Sequence, residues 1–159
     1  MDNGFAESEG MRNLKYLLGI DLGTSGTKTV LFEETGRAVA SETIEYPLYQ
    51  PKNGWAEQEP EDWWNAARDT VKAVIAKSGV KPEDVKGVGI SGQMHGLVLL
   101  DREGRVLRRS ILWCDGRTQE ECDEITQTIG KERLIELSAN PALTGFTAGK
   151  ILWVRKHEP

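Results

Sequence analysis

Short apolar runs separated by polar turns open the chain, and longer stretches with apolar residues three or four apart follow. Tyr16 to Ile20 is apolar and is stopped by Asp21 and the turn-forming Leu22-Gly23-Thr24-Ser25-Gly26, after which Thr27 to Phe32 resumes with β-branched residues. Glu34-Thr35-Gly36 punctuates before Arg37 to Tyr46, where Ala38, Ala40 and Glu42 alternate against Val39, Ser41 and Thr43. Period-two alternation with such short connections predicts three consecutive antiparallel strands.

Pro47 to Gln58 carries two prolines and a glycine and is expected to run over the surface, with Glu57 and Gln58 fixing the loop. A helix is predicted next. Pro60 suits its first turn, Glu59, Glu61 and Asp62 suit its positive end, and Trp64, Ala67, Val71, Val74 and Ile75 recur at helical spacing until Gly79. Trp63 and Trp64 read as packing residues of that helix. Val85 to Ser91 reads as a buried strand, and Gly96 to Leu100 as a second strand beyond the Gln93-Met94-His95 corner. Asp101 to Gly104 is a hairpin-type turn and Arg105 to Trp113 is partly extended. Helices are expected over Thr118 to Ile129, Lys131 to Leu137 and Ala148 to His157, with a loop over Ser138 to Thr147. This order predicts an α/β domain of the ribonuclease-H-like type: a mixed β-sheet with flanking helices, spanning residues 15–159 and incomplete at its C-terminus. Residues 1–14 read as a disordered tail. A fold of this kind does not by itself name a reaction.

Composition narrows the function. The 159 residues are 38% apolar, enough for a globular core. Acidic residues outnumber basic ones 25 to 20, and Lys and Arg form no run, which argues against nucleic acid as a partner. No apolar stretch approaches the roughly 20 residues of a bilayer span, and the first ten residues lack the features of a secretion signal. Cys114 and Cys122 fit neither a zinc pattern nor a disulfide framework and read as reduced thiols of a cytoplasmic protein.

The segment Gly19 to Lys28 carries the most chemistry. An acid closes a strand and a glycine-rich turn follows at once: Gly23 and Gly26 let backbone approach phosphate oxygens, Thr24 and Ser25 offer hydroxyls, and Lys28 offers a charge. Asp21 is placed to hold a magnesium ion directly or through water. A plain polar hairpin turn is the alternative. The segment is not a Walker loop, because Thr27 separates Gly26 from Lys28 and a strand follows. Gly87 to Gly92 matches G-x-G-x-x-G literally but opens no helix, so a dinucleotide site fails on context.

Five stretches resemble the carbohydrate kinases of the glycerol kinase and xylulokinase group, nearest to the xylulokinase type. They are Gly19 to Lys28, Gly54 to Trp64, Gly89 to Gly96, Ile111 to Thr118 and Gly145 to Trp153. The first is shared with the wider actin and hexokinase superfamily and says only that phosphates are bound. The Gln-Met-His-Gly corner is more selective, and the resemblance implies that Met94 and His95 touch a ketose. Trp113, Asp115 and Arg117 are further sugar-side candidates by the same resemblance, although Trp113 as core and Asp115-Gly116 as an ordinary turn pair are open alternatives. Cys114 and Gly149 depart from the family, which often has Asn and Pro there.

The resemblance implies ATP and Mg2+ as cofactors, with transfer of the γ-phosphoryl to the 5-hydroxyl of D-xylulose or a related ketose. It also implies a catalytic aspartate beyond residue 159. On that reading the chain needs a missing C-terminal part as partner, has little activity alone, and self-associates through exposed apolar surface. Rival readings are another sugar or polyol kinase of the group, a non-catalytic binding module, and a chaperone-like or actin-like ATPase; the last leaves the Gln-Met-His-Gly corner unexplained.

Overall fold

A computed structural model describes residues 15–159, so the tail expected over 1–14 lies outside the described residues. The three predicted strands are present as β1 (Tyr16–Leu22), β2 (Gly26–Glu33) and β3 (Ala38–Glu45). β1 and β2 pair antiparallel from Tyr16↔Glu33 to Leu22↔Thr27, and β2 pairs antiparallel with β3. After a two-residue strand β4 (Glu57–Gln58) and helix α1 (Pro60–Ser78), β5 (Val85–Gly92) returns beside β1 in parallel. The sheet order is therefore β3-β2-β1-β5, a mixed sheet in which α1 forms the crossover.

Helix α1 has Pro60 at its start and ends at Gly79, whose φ of 67° lets its N–H reach Ile75 O at 3.1 Å. Its inner face keeps the expected Val71 and Val74 but not Trp64. Ala66, Thr70 and Val74 are buried, whereas Trp64 is 65% exposed. The reason lies in Thr29, a buried β2 residue whose hydroxyl meets that of Thr70 at 2.7 Å, rotating the helix so that a small polar pair closes the interface. Leu18, Leu31 and Val74 form the core here, with Tyr16, Val39, Val71 and Val85 against them.

Strand β5 is not buried as expected. Leu18 and Ile20 of β1 pair with its Val88 and Ile90, but β5 lies at the sheet edge beyond the cover of α1, and Ile90 is 71% exposed. The predicted strand over Gly96 to Leu100 is also absent as a strand. His95 adopts φ 62°, which turns the chain out of line with β5, and only the isolated bridges Leu97↔Ile111 and Leu100↔Val106 remain. Ile111 belongs to β6 (Ser110–Ile111), which pairs with β4. The loop Pro47 to Gln58 is more ordered than expected, since Tyr49 and Glu57 exchange backbone hydrogen bonds of 2.9 Å.

Three helices complete the described residues: α2 (Gln119–Ile129), α3 (Lys131–Ser138) and α4 (Thr147–His157). Thr118 precedes α2 rather than opening it. A second core of Leu97, Ile111 and Trp153 joins α4 to the β4–β6 ribbon, and Trp55 meets Trp153 edge-on at 5.4 Å. No helix among the described residues is long and apolar enough to cross a membrane.

Candidate active site

The turn between β1 and β2 is held from behind by side chains. Gly23 N–H closes it on Gly26 O at 3.0 Å. Tyr46, just past β3, donates its hydroxyl to Gly23 O at 2.5 Å, and Gln93 Nε2 donates to the same carbonyl at 3.1 Å. Gln58, fully buried, donates from Nε2 to Thr24 O at 2.7 Å and accepts at Oε1 from Gln93 at 2.9 Å and from Trp63 Nε1 at 3.0 Å. The turn's carbonyls are thus fixed by three side chains from three parts of the chain. A loop so held does not have to be ordered when a ligand arrives.

Gly26 has a different reason from the one expected of it. A Cβ there would lie 2.7 Å from Ile44 O and 3.1 Å from Glu45 Cα, so its glycine is required by the close approach of β3. Thr24 points forward: its hydroxyl donates to Gln93 Oε1 at 3.5 Å and accepts from Trp113 Nε1 at 3.2 Å.

A cleft of about 340 Å³ joins the two ends of the site. It is lined by Asp21, Gly23 and Thr24 on one side and by Gln93, Met94, His95 and Trp113 on the other. Met94 is 71% exposed and Trp113 half exposed, so both present apolar surface to it. Ser91 donates its hydroxyl to Asp21 Oδ1 at 2.6 Å. Among the described residues no basic side chain pairs with Asp21 and no group of three metal-ligating side chains gathers anywhere. Lys28 stands opposite Asp21 in the β1–β2 backbone register, and its side chain lines a neighbouring groove of about 420 Å³ with Asp21, Val30, Phe32 and Ser91. Ser25 is exposed at the tip of the turn and borders neither space.

Asp115 and Arg117 lie elsewhere. Asp115 is buried, accepting from Ala56 N–H at 2.6 Å and from the Arg117 Nε and Nη2 at 2.9 and 2.8 Å. Arg117 also pairs with buried Glu57 at 2.8 Å and stacks its guanidinium 3.7 Å from the Trp55 ring. With both groups engaged in holding the β4–β6 ribbon, neither reaches the cleft, and the expectation that they contact a sugar gives way to a structural role.

Two residues escaped the sequence reading. Tyr46 gave no signal because it sits in what reads as the end of a strand. Lys150, within the Gly145 to Trp153 stretch, is completely buried and donates from Nζ to His95 O at 2.8 Å and to Gly145 O at 2.6 Å. Burial pushes its ammonium down to about 8, against the opposing field of Asp115. A second cavity of about 260 Å³, lined by Ile125, Leu134, Leu143 and Phe146, lies on the other side of His95. Its walls are mostly apolar, with Ser138 and Asn140 at one side, and so suit sugar hydroxyls less than the cleft does.

The N-terminal domain of the FGGY family of carbohydrate kinases matches residues 16–159. The xylulose kinase of Bacillus subtilis (strain 168) is 45% identical over 146 residues, covering 92% of this chain and 29% of the relative. That of Escherichia coli (strain K12) is 46% identical over 142 residues, 89% of this chain and 28% of the relative. The crystal structure of xylulose kinase from Rhodospirillum rubrum superposes with a TM-score of 0.85 at 29% identity, covering 91% of this chain and 30% of that one. The chain therefore spans under a third of the length of these relatives. With its mixed sheet, its matched domain and relatives at this level of identity, the chain belongs to the FGGY family of carbohydrate kinases.

Proposed function

We propose that this chain supplies the acceptor-sugar side and the first phosphate-binding turn of an ATP-dependent kinase that phosphorylates D-xylulose, or a closely related ketose, at its primary hydroxyl. The observation that carries the reading is the single cleft bounded by both the Gly23-Thr24 turn and the Met94-His95 corner. The xylulose kinases among its relatives support the choice of sugar.

On this reading the chain's residues position reactants more than they react. Met94 and the Trp113 ring face the carbon skeleton, His95 takes a hydroxyl, and the Thr24 hydroxyl faces phosphate oxygens from a turn that Gly23 and Gly26 shape and whose tip, Ser25, stands exposed outside the cleft. Lys28, one strand over from Asp21, adds positive charge at the groove mouth. One carboxylate with a neighbouring hydroxyl suits magnesium, which keeps most of its waters and takes further oxygens from phosphates. Asp21 would hold that ion, and the ion would neutralise charge on the transferring phosphoryl. The proton of the attacking hydroxyl passes to a carboxylate that this proposal assigns outside the 159 residues. A cytoplasmic location and a role in xylose use follow from the substrates.

Calorimetric titration of the 159-residue chain with D-xylulose, glycerol and magnesium-ATP tests the assignment. D-xylulose is expected to bind more tightly than glycerol, and Met94→Ala or His95→Ala to weaken it about tenfold or more. Binding of neither sugar nor nucleotide would instead mark a non-catalytic module.

A further inference from the structure

We propose that Lys150 is a positioning residue that sets the shape of the sugar corner, holding His95 in its left-handed backbone conformation and fixing the gap between the His95 and Trp113 walls of the cleft. His95 and Ala139 are the two non-glycine residues with positive φ among those described, and His95 is the one that borders the cleft. A side chain at φ 62° is disfavoured and persists where surrounding contacts over-determine it. Those contacts converge on its carbonyl, which accepts from Lys150 Nζ at 2.8 Å and from the Thr147 hydroxyl at 3.3 Å. The imidazole is also fixed, lying 4.7 Å from the Phe146 ring.

The second arm of Lys150 reaches the opposite wall. Its bond to Gly145 O, at 2.6 Å, anchors a residue whose Cβ, were there one, would lie 2.9 Å from Trp113 O. Gly145 is thus pressed on the Trp113 backbone, and one ammonium links both walls. No carboxylate lies within ion-pair distance of Lys150 among the described residues, so its hydrogen bonds go to two carbonyls and Asp115 acts on it only from beyond that distance. An apolar side chain of similar volume would satisfy packing at lower cost. What such a side chain could not do is hold two carbonyls at once from inside the fold. The consequence for the sugar rests on the proposed function; the consequence for His95 does not.

Lys150→Met removes the donors and keeps the volume. By NMR on the 159-residue chain, the intraresidue amide-to-Hα contact of His95, strong when φ is near +60°, is expected to fall to ordinary intensity while β1 to β3 and α1 keep their shifts. D-xylulose affinity, read from the Met94 and His95 amides, is expected to drop about tenfold or more. Should Lys150→Met fail to fold, Thr147→Ala, which removes the weaker donor to the same carbonyl, is expected to give a smaller change in the same direction. An unchanged His95 contact in the folded variants overturns the proposal. A lost contact in a chain whose wild type ignores D-xylulose supports the clamp and instead removes the sugar reading.

Discussion

The indole nitrogen of Trp113 donates to the hydroxyl of Thr24 across 3.2 Å, joining residues 89 positions apart. The bond couples the wall expected to face the sugar to the turn expected to face phosphate. Trp113→Phe keeps a ring and removes the donor, freeing the Thr24 hydroxyl to rotate. D-xylulose affinity is expected to fall about three- to tenfold with stability changed by less than about 1 kcal/mol, because the indole is half exposed. Calorimetry alongside urea denaturation checks both halves. A large stability loss would place the Trp113 role in the core instead.

Gln58 is the centre of the network behind the turn, itself fully buried with partners that are partly so. Gln58→Met fills the space but leaves Thr24 O, Trp63 Nε1 and Gln93 Nε2 short of partners. The expected cost is about 2–4 kcal/mol in urea denaturation, larger than for loss of one exposed hydrogen bond. A cost near zero would mean that water replaces the carboxamide.

Gly26→Ala separates two explanations of a loop glycine. If close approach to phosphate were its only purpose, the substitution would weaken nucleotide binding and leave the fold intact. The 2.7 Å approach to Ile44 O instead predicts separation of β2 from β3 at that end and a loss of about 2–3 kcal/mol, with or without nucleotide. Slowed exchange of the β3 amides comparable to wild type would contradict it.

Lys150 carries a pH signature. Burial lowers its ammonium from 10.5 to about 8. Above 8 the folded chain has released this proton while the unfolded chain keeps it to about 10.5, so stability rises with pH across that window and is flat below it. The neutral amine retains two N–H donors for its two carbonyls. The stability difference between wild type and Lys150→Met is expected to grow by about 1–3 kcal/mol from pH 8 to 10.5. Parallel curves for the two proteins would rule the shift out.

The alternation along Tyr16 to Glu45, the capped helix Pro60 to Ser78 and the Gly-rich turn were legible because each is a local matter of period, cap and turn chemistry. So was Gln58 as a loop-fixing residue. The unread parts all depend on what packs beside what. Trp64 fits a helical stripe, yet the Thr29–Thr70 contact faces it to solvent. Asp115 and Arg117 have the chemistry of a binding site, yet they satisfy one another, Glu57 and Trp55.

By itself the sequence determined the first three strands, the helices, the strand beside β1 and which turn carries hydroxyls, glycines and an acid, since those properties live within a few residues, but not the absence of a strand over Gly96 to Leu100 or the short β4. Only the tertiary structure decided that Asp21, Thr24, Met94, His95 and Trp113 share one cleft, and that a buried lysine from the last helix holds its far corner. Long-range geometry of that kind follows from how sheet, ribbon and helices pack, and no local pattern of residues encodes it.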